Sequence, residues 1–288
     1  MLKLDRPKIE SKTAYKKSVD GIVDDMVKLS FMVVEASIET SSADYLAKGP
    51  RGELYLIPSA TNVGAVSGQW LSSLYEDQMV SKTGAARNIY DFIRSRSKKC
   101  ALCGHQAAST LDHFLPKSSF PAFAVNPANL VPCCRDCNTH KGRKVITTAG
   151  GQLFHPYFDD FSSSRWLYAK VVEEAPPSIN FYVGPLVGLE PTFKMRAEKH
   201  LCKLRLKDLY SANAAEELVN IAHRLEKLGI SHGSAGIRAH LVEEAESCAK
   251  ARLNSWQSAM YKALSESDWF CGGGFCFINE KHAPMKVV

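Results

Sequence analysis

The 288 residues carry 36 Lys and Arg against 30 Asp and Glu, a formal charge of +6, with 45% hydrophobic and 23% charged residues. That balance excludes disordered and collagen-like chains and leaves a globular protein of one large domain or two small ones. No apolar run approaches the ~18 residues of a membrane span and the opening MLKLDRPKIE has no apolar signal core, so a cytoplasmic protein with no membrane partner is expected.

In chain order, residues 1–95 read as a helical region. Ile22, Met26 and Val33 recur at helical spacing, and Trp70, Leu71, Leu74 and Tyr75 lead towards Tyr90, Phe92 and Ile93, with Gly49, Pro50, Gly52 and Pro58 breaking the middle. Residues 96–150 change character, becoming short apolar pieces punctuated by Cys, Pro, Asn and Gly, as a small metal-stapled unit requires. The third region, 151–288, opens with two β-rich segments, Arg165 to Glu173 and Ser178 to Val183, flanking Ala175-Pro176-Pro177, and these predict a hairpin. Two amphipathic helices follow. Ala214, Leu218, Ile221, Leu225 and Leu228 form one stripe with Gly229 as its stop; Ser234 caps a second that runs through Ile237, Leu241, Ala245, Cys248, Trp256 and Met260.

Charge is concentrated in the middle. From Arg94 to Lys144 there are nine basic residues against two acidic ones, while the rest of the chain is close to neutral. Such a stretch is the footprint of phosphate contact, although a solvated basic surface has the same composition.

Nine cysteines, an odd number without an export signal, argue for metal ligands or free thiols over disulfides. Cys100-x2-Cys103 and Cys134-x2-Cys137 are two knuckles whose thiolates suit one tetrahedral zinc, with Lys98, Lys99 and Arg135 beside them. Cys133 is a competing thiol; Cys134 is preferred because it keeps the two-residue spacing with Cys137. Cys202, Cys248, Cys271 and Cys276 read as structural. The 30 residues between the knuckles exceed an ordinary zinc ribbon, so something else is housed there.

That insert holds Asp112-His113, Asn129-Leu130 and, directly after the last knuckle, Asn138. A neutral His suits deprotonation of water near pH 7, and Asp plus an amide oxygen suits a hard divalent cation; phosphodiester hydrolysis needs both.

Together with the two knuckles and Lys141, these residues resemble the HNH endonucleases of the ββα-metal (His-Me finger) class, over about 45 of the 288 residues. The resemblance implies a zinc-stapled ββα unit; with the flanks read above, the expected fold is α+β, that unit embedded in a mainly helical scaffold with a C-terminal β-hairpin. It implies His113 as general base, Asp112 and Asn138 as ligands of a catalytic Mg²⁺ or Mn²⁺, and Asn129 as a brace that aims the imidazole. Asn138 stands where the family name has its last His, which bears on the choice of metal. Lys141, Arg143 and Lys144 are the candidate nucleic-acid contacts, with DNA preferred and RNA left open. Two other readings stay open: a non-catalytic zinc-stabilised binding module and an RNA-cleaving, toxin-like nuclease. The runs Arg87 to Ile93 and Phe154 to Phe158, with the helix around Lys207 to Tyr210, also resemble bacterial antiphage HNH proteins, which implies a protein partner such as an ATPase. His105, His155, His200, His223, His232, His240 and His282 receive no role.

Overall fold

The computed structural model describes residues 1–185 and 190–279, so His282 lies outside the described residues. The chain forms two compact units that divide between Asp160 and Phe161. The helical region and the cysteine-rich segment, separated at residue 95 on sequence grounds, therefore share one unit.

In the first unit, α1 (Ser11–Asp20), α2 (Asp25–Val33) and α3 (Glu35–Lys48) are followed by a short hairpin, β1 (Asn62–Val63) with β2 (Val66–Ser67), then α4 (Gly68–Tyr75) and α5 (Arg87–Ser95). Their starts follow ordinary capping chemistry: the Asp24 carboxylate accepts the Val27 amide at 2.9 Å, and the Ser67 hydroxyl accepts that of Trp70 at 3.2 Å. One π-helical turn, Glu76–Val80, prolongs α4. Tyr15, Phe31, Ile38, Leu71, Leu74, Ile89 and Ile93 pack in one core with Leu111, Ala124, Val125 and Leu130 of the cysteine-rich segment. The scaffold thus buries its apolar stripes against the segment it carries. Met26 and Val33 depart from the expected stripe, being 76% and 73% exposed; Phe31 is the residue of α2 buried in the core, with Val27 packed against it.

The cysteine-rich segment is β3 (Thr110–His113), β4 (Leu130–Cys133) and α6 (Arg135–Lys141). The strands are antiparallel, with Asp112 opposite Val131 and His113 opposite Leu130. The loop between them is pinned by short 3₁₀ turns at Pro121–Phe123 and Pro127–Asn129, where proline presets the first dihedral. Gly142 ends α6 at φ 63°, a conformation that favours glycine.

In the second unit, β5 (Leu167–Val172) and β6 (Ser178–Val183) pair as the predicted hairpin. Asn254 ties down its entry: its side-chain oxygen accepts the Trp166 and Leu167 amides at 2.8 and 3.2 Å, and its amide donates to Phe161 and Ser164 carbonyls at 2.9 Å. α7 (Pro191–Lys203), α8 (Leu206–Ala251), α9 (Trp256–Glu266) and α10 (Asp268–Cys271) complete it. The two predicted helices are the arms of α8, but the break falls at Gly233 (φ 62°), not Gly229. Gly229 stays helical, with the Phe275 ring 3.1 Å from where a Cβ would lie. Trp256 and Met260 belong to α9, which Ser255 starts by accepting the Ser258 amide. Among the described residues no helix is long and apolar enough to cross a membrane.

Candidate metal centre and catalytic cleft

Two turns build the cysteine site. In the first, Gly104 (φ 68°) donates its amide to the Cys100 carbonyl at 2.8 Å, and the Cys103 amide points at the Cys100 sulfur at 3.5 Å. In the second, Cys134 is the N-cap of α6 and its sulfur accepts the Cys137 amide at 3.4 Å. These N–H groups stabilise the negative charge that the sulfurs carry once deprotonated to bind a metal. The four sulfurs of Cys100, Cys103, Cys134 and Cys137 lie within 4.8 Å of one another and all four residues are buried. A tetrahedral zinc with sulfurs at about 2.3 Å spaces them about 3.8 Å apart, inside that limit, so the set is placed to hold one such ion. Cys133 lies outside the cluster, and burial raises its thiol pKa well above the ordinary value. Of the remaining thiols, Cys271 is buried, Cys248 half-buried, and Cys202 and Cys276 exposed.

The knuckles hold the ends of the β3–β4 hairpin together. Ala101 donates its amide to the Pro132 carbonyl at 2.9 Å, and Ser109 to that of Cys133 at 3.0 Å. On the same segment a cleft of about 560 Å³ gathers Asp112 and His113 from β3, Asn138 from α6, Lys117 from the loop, and Tyr75 and Glu76 from the end of α4 and its π turn. Three of the four expected catalytic residues therefore share one cleft.

His113 is buried, and its Nε2 lies 2.7 Å from the carbonyl oxygen of Ala124. A carbonyl only accepts, so Nε2 carries the ring proton and Nδ1 is the nitrogen left to act as a base. Nδ1 has no hydrogen-bond partner among the described residues. Burial pushes the imidazole pKa down to about 3, with Lys117 and Lys141 adding to the effect and the Ala124 hydrogen bond opposing it, so the ring is neutral near pH 7. Tyr75 packs edge-on against the ring, centroids 4.4 Å apart.

Asp112 is buried beside Lys141, whose Nζ lies 3.2 and 3.1 Å from its two carboxylate oxygens and donates to the His113 carbonyl at 2.7 Å. Burial raises the carboxyl pKa, against the pull of Lys141. The 3.1 Å contact to Oδ2 lacks hydrogen-bond geometry, so this oxygen is buried with an ion-pair contact alone. Lys141 itself is buried, yet it lines the cleft beside Asp112. Arg143 and Lys144 are exposed, and Arg143 lines the cleft.

Asn129 lies behind the cleft, fully buried. Its side-chain oxygen accepts the Leu115 amide at 2.7 Å, and its amide donates to the carbonyls of Leu115 and Phe123 at 3.0 and 3.2 Å. It thereby clamps the loop at the residue following His113-Phe114 and at the residue preceding Ala124. Tyr45 also donates to the Asn129 oxygen, at 3.1 Å. Neither Tyr45 nor Tyr75 was legible as a site residue, because an aromatic on an amphipathic helix looks like core from sequence.

Taken as a class, the molecule is an α+β protein with a buried four-cysteine cluster beside a cleft lined by a histidine, a carboxylate and an amide. The chain is similar to protein ea31 of Escherichia phage lambda, 29% identical over 295 residues spanning 95% of this chain and all of that one. No protein-family model and no solved structure matches it.

Proposed function

We propose that the chain is a metal-dependent HNH endonuclease that hydrolyses phosphodiesters of nucleic acid, DNA in preference to RNA, with zinc in the four-cysteine cluster. The observation that carries this reading is the tethered imidazole: a neutral His113 with Nε2 occupied by Ala124 presents Nδ1 at a polar cleft that also holds Asp112 and Asn138. In this reading Nδ1 takes the proton from water as it attacks phosphorus, and Asn129 keeps the ring aimed through the loop. Asp112 and Asn138 fit a hard divalent cation. One offers a buried carboxylate oxygen with no hydrogen bond, and the other an amide with no side-chain hydrogen bond among the described residues. Such a cation, when bound, supplies charge stabilisation at the phosphate and the leaving oxygen. Arg143 and Lys144 supply phosphate contact at the rim.

The test is incubation of the purified protein with plasmid and with RNA in Mg²⁺ or Mn²⁺, beside His113→Ala. We expect the variant to keep its zinc and its nucleic-acid binding and to lose at least about 100-fold in cleavage rate. Equal cleavage by both proteins removes His113 from the role.

One observation favours a second reading, a binding module that grips phosphates without cutting. Lys141 already neutralises Asp112, so a cation must share or displace an existing partner. Binding that needs no divalent metal, with no cleavage of any substrate, would select it.

A further inference from the structure

His155 belongs to the segment that follows the candidate nuclease unit and is fully buried. Its Nδ1 lies 3.1 Å from the Tyr157 amide nitrogen, and an amide N–H only donates, so Nδ1 is unprotonated and Nε2 carries the ring hydrogen. Nε2 faces the Tyr45 hydroxyl at 3.0 Å and so donates to it. The Tyr45 hydrogen then goes to the Asn129 side-chain oxygen at 3.1 Å. Every step has a forced direction. The chain runs from an amide in the 155–159 turn, through an imidazole and a phenol, to the residue that clamps the loop bearing the Ala124 carbonyl.

Packing follows the same line. The His155 ring lies 4.1 Å from that of Phe114, the neighbour of His113, and the Tyr45 ring lies 5.0 Å from that of Phe123, the neighbour of Ala124. Burial holds the Tyr45 hydroxyl well above its ordinary pKa, so it remains a donor across the working pH range.

We propose that Tyr45 and His155 are positioning residues that fix the tautomer and aim of His113 by orienting Asn129 and, through it, the Ala124 carbonyl. The catalytic consequence rests on the nuclease reading; the tautomer consequence does not. A directed relay of this kind removes the alternative amide orientation of Asn129, in which its NH₂ would face the Leu115 amide and release the loop.

The experiment uses the full-length, zinc-loaded chain. Long-range ¹H–¹⁵N spectra with labelled histidine read the protonation of each His113 ring nitrogen, and plasmid cleavage gives kcat and KM. We expect wild type to show His113 protonated at Nε2 alone. Tyr45→Phe, which removes one oxygen and keeps the ring, should retain zinc, show a mixture of His113 tautomers, and lower kcat by about 10- to 100-fold with KM unchanged. His155→Gln keeps a donor near the Nε2 position and should recover most of the kcat that His155→Leu loses; this pair carries the test if Tyr45→Phe does not fold. An unaltered His113 tautomer in zinc-loaded Tyr45→Phe, an altered tautomer with wild-type kcat, or equal losses in both His155 variants would each overturn the proposal. If wild type cleaves nothing yet Tyr45→Phe redistributes the tautomers, the relay stands and the nuclease reading falls. If wild type cleaves and Tyr45→Phe matches it in both readouts, the reverse holds.

Discussion

Lys141 and Asp112 meet at the wall of the cleft where little water reaches them, an ammonium and a carboxylate each about 6% exposed in their side chains. A pair in such a setting is costly to break from one side, because the survivor is left charged and buried. Lys141→Met should destabilise the zinc-loaded protein by about 3–5 kcal/mol, measured by denaturant unfolding, and adding Asp112→Asn should restore part of the loss. His113 gives a pH signature. Its folded pKa, about 3, lies below the ordinary 6.5, so the unfolded chain binds the extra proton. Its neutral burial is free of that penalty above 6.5, and stability drops as pH falls from there towards 3, by up to about 1.4 kcal/mol per unit. Thermal unfolding of wild type and His113→Gln at pH 7.5 and 5 should show the steeper acid loss in wild type. Arg143→Ala and Lys144→Ala should each weaken nucleic-acid binding evenly across sequences and reduce its salt slope by about 1. The candidate chemistry was legible at this scale because Asp112 and His113 are adjacent and Asn138 directly follows the second knuckle. The Lys141 partnership spans 29 positions and depends on how α6 lies against β3, which spacing does not encode.

The cluster makes one element of β3, β4 and α6. Their hairpin is only four residues a side, too short to hold without the cysteine turns at its end and the scaffold against its face. Cys134→Ser removes a sulfur of the cluster but leaves a hydroxyl able to cap α6, so zinc content should fall and any loss of the folded cysteine segment traces to the metal; full zinc occupancy would contradict the ligand set. Cysteine spacing made this site readable and separated Cys134 from Cys133. The end of the first arm of α8 was not readable in the same way. Apolar spacing points to Gly229 as the stop, yet the positive φ falls at Gly233, and Gly229 instead packs against the Phe275 ring, a contact with a distant part of the chain. Similarly, the apolar spacing of α2 gave a helix but not which of its residues would face inward.

For the whole molecule, the shared core predicts which fragments fold. Residues 1–160 expressed alone should bind zinc and unfold in one transition, whereas 96–150 should not, since it would expose Leu111, Ala124, Val125 and Leu130; calorimetry and metal analysis of the two fragments decide it. The division at 95 looked natural in sequence because composition changes there, yet composition is blind to who packs on whom. The extreme start of the chain is stitched across that division as well. The Leu2 amide reaches the Ala101 carbonyl at 2.8 Å, that of Leu4 the Pro156 carbonyl at 2.9 Å, and Lys3 the Tyr157 carbonyl, 154 positions away. In order of synthesis, residues 3 and 4 wait for 156 and 157, while both thiol pairs emerge before that seam can close. All four sulfurs of the cluster are therefore in place before residues 156 and 157 complete the seam, which leaves the cysteine turns accessible to zinc while the unit is still partly open.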